Sequence, residues 1–268
     1  PKRADVLVEG EKVRLVGRLI LTPADRTVDV EGCLLFPGFI DAHTHFDLDV
    51  CNTTTADDFT TGSRAALKGG TTTVIDFACP NKGESLHHGL ELWHRKADGR
   101  TCCDYGFHMT IDDWNETIER EIDDMYAEGI SSFKMYMTYP AMMIGDEAMY
   151  KALKKLKEKG GICGVHCENA GVIDALIAEK KAAGENGVHC HPETRPDIME
   201  AEAVGRLLPP LRQQGQTVGD VLLGGQKVGQ VDIFRAVEGL FRQRLRPEAA
   251  GEGLVQLFEG LVDEVRGC

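Results

Sequence analysis

Two histidines one residue apart carry the strongest chemical signal in this chain. Asp41-Ala42-His43-Thr44-His45 follows the apolar run Leu34-Leu35-Phe36-Pro37-Gly38-Phe39-Ile40. On a strand, residues i and i+2 point to the same side. His43 and His45 can therefore both face one metal ion at the carboxyl end of a strand. Imidazole suits Zn²⁺ and related ions. A bare HxH triplet is common, and two ordinary core or surface histidines read the same way. Its place at the end of an apolar strand, just after Pro-Gly, favours the metal.

Two further segments put polar groups at the ends of apolar strands. In Ser132-Phe133-Lys134-Met135-Tyr136-Met137 a lysine interrupts a buried-looking run. A buried, unpaired ammonium is costly. Lys134 either snorkels at a strand end or is carboxylated, so that it becomes an anion able to bridge two metals. In Gly164-Val165-His166-Cys167-Glu168-Asn169 a strand again ends in a histidine. Alone, His166 reads as structural; beside the HxH pair and the strand lysine it reads as a third ligand. Glu168 and Asn169 also suit a helix cap. A second HxH, His189-Cys190-His191, lies on a loop before Pro192. Loop ligands lack rigid support, so an exposed pair is the expectation there.

The elements that must hold these groups alternate. Ala4–Gly10 and Lys12–Val16 read as two strands around a turn, and Thr27–Gly32 as another. From Leu34 the rhythm becomes strand then helix. Strands are expected at Leu34–Ile40, Thr71–Phe77, Asp104–Ile111, Ser132–Met137 and Ile162–His166. Helices are expected at Ala56–Lys68, Asp112–Glu128, Asp146–Lys159 and Ala170–Ala183, several closed by glycine. Repeated β-then-α units imply a parallel sheet with helices outside. Five such strands suit a TIM-type barrel better than a short open sheet. After about Gly205 the rhythm fails. Pro209-Pro210 and Gly224-Gly225 break the chain, no buried strand stands out, and Val231–Phe241 and Leu254–Val265 have helical spacing.

Composition narrows the partners. The 268 residues hold 30 Lys plus Arg against 43 Asp plus Glu, a formal charge of −13. That balance argues against nucleic acid or an anionic membrane as partner. No stretch approaches the roughly 18 apolar residues of a membrane span. Pro1-Lys2-Arg3-Ala4-Asp5 leads straight into the first strand, so no secretory leader is expected. Nine cysteines without a CxxC pair, scattered through apolar segments, read as reduced thiols of a cytoplasmic protein.

Five ordered blocks carry a family resemblance. They are Pro37–His45, Gly69–Phe77, Cys103–Met109, Ser132–Met137 and Val165–Asn169. In order and spacing, from about residue 4 to about residue 204, they resemble the dihydropyrimidinase and D-hydantoinase family of cyclic amidohydrolases. The resemblance implies an α/β fold, a (β/α)8 barrel with a β-sandwich, here incomplete at its C-terminal end. The corresponding division is 1–33 for the sandwich portion, 34–204 for the first part of the barrel and 205–268 for a divergent, mainly helical tail. It implies two Zn²⁺ ions held by His43, His45 and His166 and bridged by carboxylated Lys134. Tyr139 matches the tyrosine that hydrogen-bonds substrate and intermediate. The reaction implied is hydrolytic opening of a cyclic ureide, a hydantoin or dihydropyrimidine, to an N-carbamoyl amino acid. A homo-oligomer, a tetramer in the family, is implied as well.

The chain also departs from the pattern. It has no histidine after His191. The later aspartates Asp197, Asp220, Asp232 and Asp263 do not stand in the context of the family's catalytic aspartate. Two further readings follow: a non-catalytic relative acting as an interaction protein, and an inactive fragment whose barrel stays open and exposes sheet edges.

Overall fold

The computed structural model describes residues 2–50, 52–213 and 221–224. It begins with an antiparallel hairpin, β1 (Asp5–Glu9) and β2 (Lys12–Gly17), turned at Gly10, whose φ of +60° suits a residue without Cβ. Thr27–Gly32 is not a strand. The Asp29 carboxylate accepts from the Glu31 amide, and the Cys33 amide bonds the Val30 carbonyl, so the segment closes on itself as a turn. The apolar residues Leu34, Leu35 and Phe36 are exposed. The first strand of the main sheet starts later than expected, as β3 (Phe39–Thr44), and so includes the first histidine of the triplet.

From β3 the chain alternates. A short antiparallel pair, β4 (Asp49–Val50) and β5 (Thr53–Thr54), leads to α1 (Phe59–Lys68). Then come β6 (Thr71–Ala78), α2 (Leu86–Ala97), β7 (Asp104–Thr110), α3 (Glu116–Ala127), β8 (Ser132–Tyr136) and α4 (Asp146–Glu158). They are followed by β9 (Ile162–His166), α5 (Ala170–Ala182), a single turn α6 (Cys190–Glu193), α7 (Asp197–Gln213) and β10 (Val221–Gly224). The strands β3, β6, β7, β8, β9 and β10 lie side by side in chain order, all parallel. Over the described residues this is the curled sheet of part of a (β/α)8 barrel, with helices outside. Among the described residues β3 and β10 are its edges.

Local chemistry explains most boundaries. The Asp58 carboxylate accepts from the Thr61 amide and Thr61 returns the bond, a reciprocal cap for α1. Ser85, Asn115 and Asn169 cap α2, α3 and α5 in the same manner, with a side-chain oxygen on a first-turn amide. Several elements were not expected from the sequence, among them α2, α7 and β10. Helix α2 buries Leu86, Leu90, Trp93 and Ala97, a clear helical stripe hidden by three histidines and an internal glycine. Strand β10 falls in the region where no strand was expected, and α7 runs through Pro209-Pro210. Four residues are too short a signal to read alone; pairing with β9, from Val221 against Cys163 to Gly224 against His166, defines the strand. The helical expectations at Val231–Phe241 and Leu254–Val265 lie outside the described residues.

The core lies between sheet and helices. Val74 and Ala78 of β6, Phe107 and Met109 of β7, Phe133 and Met135 of β8, and Cys163 and Val165 of β9 are buried. Phe59, Trp93, Ile122, Met125, Leu153 and Leu156 come down on them from the helices. The alternate residues Phe77, His108, Lys134, Tyr136 and His166 therefore share the opposite, concave face. One close approach ties this core to the HxH segment: a Cβ on Gly62 of α1 would run into the ring of Phe46, the residue after His45. Gly62→Ala should therefore cost about 1–3 kcal/mol by overpacking. A lowered denaturant midpoint with an unchanged slope checks this.

Candidate metal centre

His43 lies on β3 and His45 just beyond its end. Their Nε2 atoms are 3.2 Å apart, with the rings edge to face at 5.0 Å between centroids. Phe77 of β6 packs against both, at 4.7 and 4.9 Å. Two nitrogens bound to one tetrahedral zinc stand about 3.3 Å apart, given bonds of roughly 2.0 Å. The pair is thus spaced as ligands of one ion. His45 Nδ1 is buried and has no hydrogen-bond partner among the described residues. Burial first, then neighbouring His45, Lys134 and His108, hold the His43 pKa down to about 4, against a smaller opposing effect of Asp41. His45 is lowered too, by burial and then by Lys134. Both rings are therefore neutral near pH 7, the state in which a ring nitrogen can ligate.

Lys134 is the cation both histidines feel. It is buried, and that burial pushes its pKa below the ordinary lysine range. Its ammonium lies 5.3 Å from the ring centre of Tyr136, two residues on along the same face. Among the described residues no carboxylate pairs with it. The snorkelling alternative does not hold, because the side chain turns into the concave face rather than to solvent. His166 stands farther along: Lys134 is level with Gly164, and Tyr136 with His166. Tyr136 stacks on His166 at 5.9 Å, and Tyr139 approaches the same ring at 5.1 Å. The fold thus brings His43, His45 and Lys134 together, and His166 with Tyr139, with Tyr136 between the two groups. His166 Nε2 lies 2.9 Å from Glu168 Oε2, so Nδ1 is the nitrogen left for another partner. Tyr139 has a φ of +66°, a conformation rare outside glycine, in the loop after β8.

Known proteins resemble this chain in sequence and fold. The family model for the Amidohydrolase family matches residues 34–207. The chain belongs to the amidohydrolase family. It is 40% identical over 212 residues to a D-hydantoinase of Streptomyces coelicolor, covering 76% of this chain and 45% of that protein. It is 41% identical over 212 residues to the dihydropyrimidinase of Rattus norvegicus, covering 76% of this chain and 41% of that one. Among solved structures, the dihydropyrimidinase from Brevibacillus agri superposes with a TM-score of 0.83 at 37% identity, over 90% of this chain and 51% of that chain. The likeness falls in the dihydropyrimidinase and hydantoinase branch of the family. The chain spans about half the length of the relatives it matches.

Two residues that brace the histidines do not stand out in the sequence. His108 of β7 joins the strands on the concave face. Its Nε2 lies 2.9 Å from the Ala42 carbonyl, which only accepts, so Nε2 carries the proton. Its Nδ1 then accepts from the Ser132 hydroxyl at 2.6 Å. Ala42 precedes His43, and Ser132 lies two residues before Lys134. Behind the sheet, the buried carboxylate of Asp76 accepts from Thr44, Phe46, Phe77 and Trp93. Burial still pushes its pKa above the usual carboxylate range, with those four bonds acting against it. The only available signal for either was an inward or outward place in the strand alternation.

The second HxH does not converge. His189 precedes α6 and clusters with Glu185 and Cys190, ligating atoms within 4.8 Å of one another. Glu185 there already holds the Lys180 ammonium at 2.6 Å. His191 instead accepts from Arg195 at 3.2 Å. The seven described cysteines are free. A titration of the metal-free protein tests the main cluster. The His43 ring should titrate near 4, and Lys134→Met should raise that midpoint toward the ordinary 6.5, because a nearby positive charge is removed. An unchanged midpoint in the variant, read by NMR, would place the ammonium elsewhere.

Proposed function

We propose that this chain carries the metal and carbonyl-facing part of a cyclic amidohydrolase site that opens a hydantoin or dihydropyrimidine ring to an N-carbamoyl amino acid. The observation that carries this reading is the 3.2 Å convergence of the His43 and His45 Nε2 atoms beside a buried lysine. His43 and His45 would hold one Zn²⁺ through these nitrogens. His166 would hold a second through Nδ1, its ring kept in place by the bond to Glu168. When bound, such ions supply Lewis-acid activation of water and of the amide carbonyl.

The remaining steps belong to the protein's own groups. Lys134, with its pKa lowered by burial, has a larger share of free amine than an exposed lysine. Once the ammonium has given up a proton, attack of the free amine on CO₂ forms an N–C bond as one C–O π bond opens, and releases a second proton; the buried cation thereby becomes an anionic carbamate with two ligand oxygens. That change removes the charge repulsion with His43 and His45. Tyr139, held beside His166, would donate its hydroxyl proton in a hydrogen bond to the carbonyl oxygen as negative charge develops there. All four ligand residues are retained, which favours a hydrolase over a non-catalytic interaction role. The same reading makes a small cyclic ureide the partner, in a homo-oligomeric, tetrameric, cytoplasmic enzyme that engages neither nucleic acid nor membrane. Among the described residues no helix is long and apolar enough to cross a membrane.

Metal analysis tests this directly. The purified protein should hold tightly bound zinc, and His43→Ala with His45→Ala should abolish it. Unchanged metal content in the double variant would sink the assignment. Lys134→Ala should lower occupancy, with partial recovery in excess short-chain carboxylic acid. Hydrolysis of hydantoin or dihydrouracil should fall with the metal content, and a rate that survives removal of the metal would overturn the reading.

A further inference from the structure

The sheet's own hydrogen bonding lapses where the histidines stand. Between Asp41 and Thr44 of β3 the pairing with β6 slips: Asp41 is level with Val74, but Thr44 with Asp76. Three steps on one strand meet two on the other, a bulge that loosens the ladder. His45 lies past the strand's end. Ladder bonds therefore do not set where His43 and His45 point.

Another group is bonded to that segment. Asp76 is fully buried, on the face of the sheet opposite the histidines. Its Oδ2 accepts from the Thr44 hydroxyl at 2.9 Å and from the Phe46 amide at 2.8 Å, the residues on either side of His45. Its Oδ1 accepts from the Phe77 amide at 2.8 Å and from the Trp93 indole at 3.0 Å. All the donors are neutral, and a buried carboxylate is an expensive way to satisfy neutral donors. An asparagine could not replace it, since its amide nitrogen would turn two donors against two donors.

We infer that Asp76 is a positioning residue for the metal pair: through Thr44 and Phe46, its Oδ2 holds His45 at the spacing from His43 that one metal ion needs. This rests on the reading that His43 and His45 bind metal. The two oxygens of Asp76 divide the labour. Oδ2 governs the histidine segment, and Oδ1 fastens the carboxylate to its own strand and to α2.

That division supplies the test. Thr44→Val removes one bond from Oδ2; Trp93→Phe removes one from Oδ1. Both should lower the denaturant midpoint. Only Thr44→Val should weaken Zn²⁺ binding, by about 10–100-fold in chelator competition, the usual effect of losing a group that orients a ligand. Thr44→Ser keeps the hydroxyl and should keep the affinity. Equal losses in Thr44→Val and Trp93→Phe, or none in either, would overturn the inference and leave Asp76 a stability element. If the wild-type protein binds no metal, the proposed function fails on its own. Crystal structures of the metal-free proteins then decide the positioning role. The Nε2 separation should widen from 3.2 Å in Thr44→Val and hold in Trp93→Phe; an unchanged separation in Thr44→Val would refute it.

Discussion

A parallel sheet covered by helices on one side must bury every second side chain of each strand. That constraint organises this protein. Phe107, Phe133, Met135, Cys163 and Val165 meet the helices and are lost to chemistry. The residues between them, His108, Lys134, Tyr136 and His166, are turned to the concave face. Distant stretches of sequence thereby supply one surface, because parallel strands in chain order end on the same side. The hydrophobic effect, acting on the outer face, aims the polar groups of the inner one.

The concave face gathers bases, and among the described residues no carboxylate pairs with Lys134. Burial disfavours the charged forms of His43, His45 and Lys134, and the Lys134 charge lowers both histidines further. The two imidazoles are neutral near pH 7, and the amine gives up its proton more readily than an exposed lysine. Such a cluster suits an electrophile, whether a metal ion for the imidazoles or CO₂ for the amine. The acids Asp76 and Glu168 lie outside the cluster and act by accepting hydrogen bonds, Glu168 fixing the His166 ring and Asp76 the backbone around His45.

The order of the elements also distributes risk. The first forty residues leave Leu19, Leu21, Leu34, Leu35 and Phe36 exposed and contribute little to the core. The core instead runs from α1 to α7, under β6 to β9, where capped helices and alternating strands agree. The candidate centre sits at the junction of these regions. β3 draws its support there from Phe77, His108 and Asp76 rather than from a regular ladder on both sides.

The sequence by itself determined the strand-helix rhythm, the parallel sheet and the main candidate ligands. These are local properties: a period of two, a capping residue, a glycine stop and a histidine at a strand end can be read in a window of a few residues. Ile162–His166 was legible to the residue, and α4 and α5 nearly so, for that reason. Only the tertiary structure decided the rest. That Thr27–Gly32 is a turn and Val221–Gly224 a strand depended on which partners stood alongside. That His108 links Ala42 to Ser132, and Asp76 links Thr44 to Trp93, depended on contacts between segments far apart in the chain. So did the separation of the two HxH triplets, identical in spacing, into one that converges and one that does not. Spacing along a chain sets which face a side chain takes; the distance between two nitrogens is set by the elements packed behind them.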